Sequence, residues 1–307
     1  MGLLKDISFV RMRAPDTERA LRFLNDFGLT VSSRSDGAIY LRCAGPAHHV
    51  YVVKEGPPEF AGFAFEAETE EALKTLADQH SVDVGECPEP GGGLRVTFTD
   101  PDGYPIDVVH GTAPVEPLAM RPPLPLNYAE EKHRINETQR PPIGPAEIKR
   151  LGHVGLKVSS LPRSIGWYAD RFGLRTTDVL TAGPDGHEVA AFLRLDRGSE
   201  PVDHHSIVLF ESRNPEFHHC AFETQDYDAV ETSHNWLRDH AWTPSFGVGR
   251  HLLGSQVFDY WLDPWGRKHE HFADGDLFTG SRETERHPID RSPIALWGPE
   301  PPPDFVE

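Results

Sequence analysis

The sequence has few basic residues relative to acidic ones, few cysteines and no long apolar run. Lys and Arg together number 30 against 48 Asp and Glu, which gives a formal net charge of −18. This charge disfavours a surface that binds the phosphates of nucleic acids or an anionic membrane. No apolar stretch approaches the roughly 18 residues that a membrane-spanning helix needs. The N-terminus also lacks the pattern of a secretory signal. We therefore expect neither nucleic-acid nor membrane partners.

The three cysteines are scattered and form no Cys-x-x-Cys pair. A disulfide framework is not expected, and a reducing cytoplasm fits this composition. The sequence also lacks the Gly-x-Ser-x-Gly motif of a serine nucleophile and the Gly-Lys-Ser/Thr ending of a phosphate-binding loop. Histidine, in contrast, is abundant, with 17 residues. Because histidine is the commonest metal ligand and the usual acid–base group near neutral pH, its spacing directs the search for a site.

The sequence repeats itself over most of its length. Residues 6–29 (DISFVRMRAPDTERALRFLNDFGL) and 152–174 (GHVGLKVSSLPRSIGWYADRFGL) both indicate an alternating strand, a proline-containing turn and a helix that ends in Phe-Gly-Leu. In the second copy the helix is expected from Leu161 to Phe172, with Gly173 as the residue that ends it. Later, GFAFE matches HCAFE and DPDGYPID matches DPWGRKHE. The pattern predicts an α+β fold with two domains, each made of two βαβββ modules.

The repeats also set the expected domain boundaries. An N-terminal domain over residues 1–119 and a C-terminal domain over residues 146–278 are joined by a linker over residues 120–145, which is rich in proline and charge. The tail over residues 279–307 is polar and then proline-rich. It is a candidate lid over the second domain.

The two copies differ at three matched positions. The second copy has His153, His219 and Glu270 where the first has Ser8, Gly62 and Asp107. Two imidazoles and one carboxylate are the facial triad that holds ferrous iron and leaves coordination positions open. The set in the first copy cannot do this, so that domain is expected to lack metal ligands. The alternative for the second copy is two core histidines and a salt-bridged glutamate, since a buried carboxylate needs a cation or a donor in either case.

Strand geometry separates these residues from the histidines next to them, because successive side chains of a strand point to opposite faces. We therefore expect His218, beside His219, to lie outside the site. The same holds for His269 and His271, which flank Glu270. A rival interpretation is that His269 and His271 bind a metal on the outer face.

Four segments of the second half carry a further pattern. They are GHVGLKV with His153, FHHCAFE with His219, GVGRH with His251, and FDYWLDPWGRKHEHFADGD with Tyr260 and Glu270. Together they resemble the type I extradiol ring-cleavage dioxygenases of the vicinal oxygen chelate superfamily. The resemblance covers nearly the whole chain and is most specific from residue 152 to residue 275. It implies that the paired βαβββ modules of each domain form an open, barrel-like sheet.

The resemblance also implies a function. Members insert both atoms of O2 into a catechol at a non-haem Fe(II), with Mn(II) as the alternative, and His153, His219 and Glu270 would be the ligands. Members are usually homo-oligomers, and we expect the same of this chain. His205, 14 residues before His219, matches the family's acid–base histidine. His204 is the alternative, because a slip of one residue swaps the faces of a strand. A pKa near 6.5 would let this histidine take and return a proton.

Further roles follow from the resemblance. His251 matches a histidine that contacts substrate or dioxygen-derived oxygen, and Tyr260 matches a tyrosine that contacts a metal-bound substrate oxygen. The alternatives are a loop histidine for His251 and a core tyrosine for Tyr260. For His204 and His205 the alternative is an exposed pair at a strand end. The first copy has His48 and His49 at the comparable place, so an inherited structural role is a further alternative for this pair. The predicted substrate contacts are Gly155, Phe192, Phe246 and Val248. Gly155 shares a strand face with His153, where a missing side chain would leave space beside the metal.

The predicted pocket is mostly apolar, which favours an alkyl- or aryl-substituted catechol as the substrate. Two other classes stay open from the sequence. One is another metal-dependent enzyme of the same superfamily, an isomerase or a thiol transferase, in which His205, His251 and Tyr260 would lack a shared purpose. The other is a non-catalytic protein that binds a small aromatic compound, which would not need the triad.

Overall fold

In the computed structural model, the chain forms two similar halves, and each half has one large sheet and two helices. The structure describes residues 2–303 and 305. Met1 of the predicted N-terminal domain, and residues 304, 306 and 307 of the predicted tail, lie outside the described part. No helix among the described residues is long and apolar enough to cross a membrane.

The N-terminal half consists of two consecutive βαβββ modules. The first contains β1 (Leu4–Ala14), α1 (Thr17–Phe27), β2 (Thr30–Ser35), β3 (Ala38–Arg42) and β4 (Tyr51–Glu55). The second contains β5 (Glu59–Ala67), α2 (Glu70–His80), β6 (Gly85–Glu86), β7 (Leu94–Thr99) and β8 (Pro105–His110). Their strands form one sheet in the order β2-β3-β4-β1-β5-β8-β7-β6. Each module therefore supplies four adjacent strands, and the first strands of the two modules pair in the middle.

The C-terminal half repeats this plan and adds the tail. Its first module contains β9 (Ile148–Val158), α3 (Leu161–Phe172), β10 (Arg175–Ala182), β11 (His187–Arg194), β12 (Val202–Asp203) and β13 (Ile207–Glu211). Its second module contains β14 (Phe217–Thr224), α4 (Tyr227–Asp239), β15 (Thr243–His251), β16 (Val257–Leu262) and β17 (Lys268–Ala273). The tail contains β18 (Leu277–Phe278), β19 (Glu285–Pro288), a 3-10 turn (Ile289–Arg291) and β20 (Ala295–Trp297).

The second sheet has ten strands in the order β19-β10-β11-β13-β9-β14-β17-β16-β15-β20, and β12 pairs separately with β18. The tail thus adds one strand at each edge of this sheet. The two halves confirm the predicted α+β fold of paired βαβββ modules. The exact domain boundaries stay predictions.

The repeated Phe-Gly-Leu motif ends a helix in both halves. Gly28 follows α1 with φ 118°, and Gly173 follows α3 with φ 69°. Both angles lie in the left-handed region, which a glycine adopts without the steric cost of a Cβ. The predicted helix from Leu161 to Phe172 is confirmed.

The contact between the two halves occupies the histidines on either side of Glu270. Nε2 of His269 lies 3.0 Å from the hydroxyl of Tyr51. Nε2 of His271 lies 2.7 Å from the carbonyl oxygen of Phe27, and its ring stacks on the Phe27 ring at 3.7 Å. Both imidazoles point away from Glu270, as strand alternation predicts. Because both rings bind groups of the N-terminal half, they do not form the outer metal pair of the rival interpretation.

Candidate metal centre

Three adjacent strands in the middle of the C-terminal sheet carry the three predicted ligands. β14 pairs with β9 on one side and with β17 on the other, and Ala221 lies opposite both His153 and Glu270. His219 precedes Ala221 by two residues and therefore projects to the same face. These central strands are covered on both sides, so the three side chains are 1%, 3% and 0% exposed for His153, His219 and Glu270.

The candidate ligand atoms converge on one point. Nε2 of His153 lies 3.0 Å from Nε2 of His219 and 3.1 Å from Oε2 of Glu270. Nε2 of His219 lies 3.4 Å from the same carboxylate oxygen. Two imidazole nitrogens and one carboxylate oxygen this close together can share a single divalent ion and leave its other positions open.

The surroundings of Glu270 show that the protein itself leaves this carboxylate unsatisfied. Both of its oxygens are buried, and neither accepts a well-formed hydrogen bond from the described residues. Burial raises the pKa of Glu270, but the nearby His153, His251 and His219 outweigh burial and hold the pKa below its ordinary value. A buried anion of this kind needs a cation. The residues therefore fit a divalent metal.

Neutral imidazoles are the form that a metal binds. Burial, followed by the neighbouring His218 and His153, holds the pKa of His219 well below its ordinary value. His219 can therefore present a lone pair rather than a proton to an ion.

His218 supports His219 from the side away from Glu270. Nδ1 of His218 lies 2.6 Å from Nδ1 of His219, and its Nε2 lies 2.5 Å from the carbonyl oxygen of Phe305. Since the carbonyl only accepts, His218 carries its hydrogen on Nε2, and its Nδ1 accepts the Nδ1–H of His219. This places the lone pair of His219 on Nε2, which faces Glu270. Such support is typical of histidine ligands.

The expectation that His218 lies outside the site is wrong, because His218 and His219 line the same cavity, although His218 is not one of the three candidate ligands. The pairing of β14 with β9 shifts register between Phe217 and His219. A bulge of this kind redirects side chains, so strict alternation fails at His218.

An apolar cavity of about 200 Å³ opens onto two of the three candidate ligands, His153 and His219. One wall comes from the first module of the C-terminal half, and the tail supplies another. The apolar wall residues of the module are Leu180, Ala182, Val189, Ala190, Phe192, Val208 and Phe210. The tail residues are Ile289, Ser292, Pro293, Ile294 and Phe305. A larger cleft of about 560 Å³ lies between the two halves and contains none of the three ligands.

Only one of the two candidate acid–base histidines lines this cavity, and it is His205. Its ring centroid lies 4.1 Å from that of His153. His204 points the other way, with Nε2 2.8 Å from the carboxylate of Asp178. The expected ordinary pKa is wrong for His205, because burial, followed by the neighbouring histidines, holds its pKa well below 6.5. His205 is therefore neutral at neutral pH.

His251 and Tyr260 form a hydrogen-bonded pair beside Glu270, and both line the cavity. Nε2 of His251 lies 3.0 Å from the Tyr260 hydroxyl, and Nδ1 lies 3.1 Å from the carbonyl oxygen of Ile294 in the tail. Because the carbonyl accepts from Nδ1–H, the hydroxyl donates to Nε2. Burial, followed by the charge of Glu270, raises the pKa of Tyr260 well above its ordinary value, so the hydroxyl stays protonated.

The four residues predicted to contact substrate lie in different places relative to the cavity. Phe192 lines the cavity. Phe246 lies behind Tyr260 and packs on Phe305, with ring centroids 4.9 Å apart. Val248 packs in a separate cluster with Val230, Val257 and Ala273. The pairing of β15 with β16 shifts register between residues 246 and 249, which explains why Val248 leaves the face of Phe246. Neither Phe246 nor Val248 lines the cavity.

The missing side chain of Gly155 leaves room for the ring of His219 rather than for a substrate. A Cβ at this position would lie 2.3 Å from Nδ1 and 2.4 Å from Cε1 of His219. The space that the sequence predicts beside the metal is thus filled by the imidazole itself. As a substrate contact Gly155 is wrong, since it does not line the cavity.

The matched positions of the first copy hold a different arrangement. Asp107, which corresponds to Glu270, lies 2.6 Å from Nη2 of Arg11 and accepts a hydrogen bond of 2.6 Å from the hydroxyl of Thr97. A guanidinium supplies the cation that this buried carboxylate needs.

Two acidic residues near the cavity escaped the sequence analysis, Asp178 and Glu211. Asp178 lies in the segment Thr-Thr-Asp-Val-Leu-Thr of β10, where its neighbours on both sides are uncharged, and is 3% exposed. Burying a carboxylate without partners costs free energy, so an aspartate in a strand predicted to be buried indicates that partners lie nearby. Glu211 ends β13 at the cavity wall, and only three-dimensional pairing brings it there.

Comparison with known proteins identifies the family. A family model described as the Glyoxalase/Bleomycin resistance protein/Dioxygenase superfamily matches residues 6–108 and 150–270. The chain belongs to this superfamily. The two matched ranges correspond to the two halves of the fold, so both copies of the repeat carry the family pattern.

The chain is similar to dioxygenases of this superfamily. It is 30% identical over 303 residues to metapyrocatechase 2 of Cupriavidus necator, an alignment that covers 98% of this chain and 91% of the relative. It is 24% identical over 311 residues to a manganese-dependent 2,3-dihydroxybiphenyl 1,2-dioxygenase of Geobacillus genomosp. 3, covering 95% and 93%. The resemblance found in the sequence is confirmed.

The fold is shared with a solved structure. Homoprotocatechuate 2,3-dioxygenase of Brevibacterium fuscum, in complex with 3,4-dihydroxyphenylacetate, superposes with a TM-score of 0.79 at 21% identity. The superposition covers 99% of this chain and 92% of that chain.

Proposed function

We propose that this protein is an extradiol ring-cleaving dioxygenase, which inserts both atoms of O2 into a substituted catechol. The observation that carries the proposal is the buried His153–His219–Glu270 set, whose two histidines line an apolar cavity. A three-ligand facial site leaves positions for two catechol oxygens and for O2. The curated relatives, a metapyrocatechase and a dihydroxybiphenyl dioxygenase, support the same reaction.

The metal would be Fe(II), with Mn(II) as the alternative that the manganese-dependent relative supports. His153, His219 and Glu270 would hold it. When bound, such an ion brings catechol and O2 together and passes electrons between them, which removes the barrier to their direct reaction.

The protein's own residues would handle the protons. A catechol that binds through both oxygens gives up hydroxyl protons, and the opened product takes a proton back. His205 is neutral and faces the cavity beside His153, so it can accept a proton and later return it. On the other side of the cavity, the paired His251 and Tyr260 would orient a substrate oxygen through the Tyr260 hydroxyl.

The cavity favours an uncharged substituent on the ring. Its first-module wall is mostly apolar, and no lysine or arginine lines the cavity within residues 2–303 and 305. The carboxyl group of Glu211 lies at the wall, 2.5 Å from Nε2 of His187. An acidic side chain on the catechol would meet this carboxyl group and no cation. We therefore infer that the substrate is an alkyl- or aryl-substituted catechol. The homo-oligomeric state and the cytoplasmic location stay predictions from the sequence.

The test combines metal loading with a substrate panel. Protein loaded anaerobically with Fe(II), and in parallel with Mn(II), is given catechol, neutral alkyl- and aryl-catechols, and 3,4-dihydroxyphenylacetate. We expect one O2 consumed per catechol, a yellow ring-fission product, and a preference for the neutral compounds. The matched control is His219→Ala, which should retain neither metal nor activity.

The other classes give different results in the same test. Binding of aromatic compounds without O2 consumption would indicate a binding protein. Conversion of a thiol adduct without O2 consumption would indicate an isomerase or a thiol transferase. Full activity in His219→Ala would refute the ligand assignment.

A further inference from the structure

Asp178 is a buried carboxylate that the proposed reaction does not use. Its Oδ2 lies 2.8 Å from Nε2 of His204, and its Oδ1 lies 3.1 Å from Nε2 of His287 in the tail. Arg282, also in the tail, brings Nη2 to 3.8 Å from the same Oδ1. Burial raises the pKa of Asp178, but the hydrogen bonds from His204 and His287 outweigh burial and leave the pKa below its ordinary value. Asp178 is therefore an ionised acceptor in contact with three donors.

The charged residues around Asp178 do not favour a second metal site. Asp178, Glu285 and His287 lie close enough to share an ion. Arg282, however, lies 2.5 Å from Glu285 as well as close to Asp178, and its guanidinium already supplies the positive charge. What remains unexplained is the contact between Asp178 and His204.

The contacts fix where the hydrogens lie on the histidine pair. A carboxylate only accepts, so His204 carries a hydrogen on Nε2. A neutral His204 then has its lone pair on Nδ1, which lies 2.9 Å from Nδ1 of His205. For a hydrogen bond to form there, His205 has to donate from Nδ1. The lone pair of His205 is then on Nε2.

We propose that Asp178 and His204 are positioning residues that hold His205 in the tautomer whose Nε2 can accept the substrate proton. The inference rests on the proposed function, in which His205 is the acid–base residue. His205 lines the cavity, and within the described part of the chain its Nε2 has no hydrogen-bond partner. The protein thus occupies Nδ1 of His205 and keeps Nε2 for substrate.

The opposite arrangement makes the proposal testable. In Asp178→Asn, the donors Arg282 and His287 keep the amide oxygen on their side, which turns the amide NH2 toward His204. That group donates, so Nε2 of His204 has to accept and its hydrogen moves to Nδ1. His205 then accepts at Nδ1 and presents an N–H to the cavity, where it cannot take a proton.

The direct measurement is two-bond ¹H–¹⁵N NMR on protein with ¹⁵N-labelled histidine, loaded with Zn(II) as a diamagnetic probe. Signals are assigned by their loss in His204→Phe and His205→Phe. We expect the hydrogen on Nε2 of His204 and on Nδ1 of His205 in the unaltered protein, and the reverse in Asp178→Asn. A hydrogen on Nε2 of His205 in the unaltered protein overturns the proposal, as does a His204 that carries hydrogens on both nitrogens. This result needs no variant to fold other than those used for assignment.

Turnover supplies the second readout. With Fe(II), Asp178→Asn should lower kcat by about 10²–10⁴-fold, the usual worth of a general acid–base group, and leave the KM for catechol and the metal content unchanged. Glu285→Gln is the matched control, because it alters the same cluster without touching His204, and it should leave kcat unchanged. A higher KM, lost metal or an unchanged kcat in Asp178→Asn contradicts a positioning role. If the unaltered protein turns over no catechol, the proposed function fails, while NMR still decides the tautomer.

Discussion

Replacing Gly155 by alanine should strongly weaken metal binding without changing a ligand. The added Cβ would lie 2.3 Å from Nδ1 of His219, whereas ordinary contact begins near 3.4 Å, so the imidazole has to retreat by about 1.1 Å (3.4 − 2.3). Retreat is hindered because Nδ1 of His219 is already held by His218, whose Nε2 binds the Phe305 carbonyl oxygen. The clash therefore moves the metal-binding ring.

The expected size follows from coordination geometry. Metal–ligand distances tolerate about 0.2 Å, so a displacement near 1 Å breaks the bond from His219. We expect metal affinity to fall by about 10–100-fold or more, the loss typical when the support of a ligand is removed. Overpacking costs about 1–3 kcal/mol of folding free energy, which is less than the roughly 5–15 kcal/mol that holds a typical domain together. The variant should therefore remain folded.

The assay is a titration of metal-free protein with Mn(II), with circular dichroism to check folding. The matched control is Gly166→Ala in α3, where an added Cβ meets nothing within 4 Å. Because alanine favours a helix, this control should bind metal normally and be up to about 1 kcal/mol more stable. Unchanged affinity in folded Gly155→Ala would refute the reasoning.

Three further predictions concern histidines. His205→Phe should keep metal and catechol affinity but slow turnover by about 10²–10⁴-fold; stopped-flow and steady-state rates equal to those of the unaltered protein would remove His205 from the mechanism. His218→Phe removes the acceptor for the Nδ1–H of His219, and a metal titration should show affinity about 10–100-fold lower; equal affinity would mean that packing alone orients His219. Burial lowers the pKa of His49 from the usual 6.5 to about 4, so this histidine is protonated at a lower pH in the folded protein than in the unfolded chain. The free energy of unfolding should therefore keep its full value above pH 6.5 and lose about 3 kcal/mol as the pH falls from 6.5 through 4. Denaturant unfolding at a series of pH values should show this loss in the unaltered protein but not in His49→Phe. The same pH dependence in both proteins would contradict the prediction.

Much of the fold was predictable because its signals are local. Alternating strands, an amphipathic helix and a glycine stop recur in the same order in both halves, and Gly28 and Gly173 end their helices as expected. The candidate ligands were also predictable, because comparing two copies of one fold isolates His153, His219 and Glu270 as the difference.

The rest depends on contacts that a single sequence does not encode locally. Register shifts in β14 and β15 change the faces of His218 and Val248, and alternation alone cannot anticipate a bulge. The need for Gly155 arises from a ring on the neighbouring strand. The downward shift in the pKa of His205 arises from burial among other histidines, which only the assembled cavity reveals.

The most direct test of the central claim is anomalous diffraction at the metal edge from crystals of the Mn(II)-loaded protein, repeated anaerobically with Fe(II). We expect one ion in the C-terminal half, bound by an imidazole nitrogen of His153, an imidazole nitrogen of His219 and a carboxylate oxygen of Glu270, with its open side toward the cavity. An ion held by another set of residues, or no ion at these three side chains at saturating metal, would contradict it.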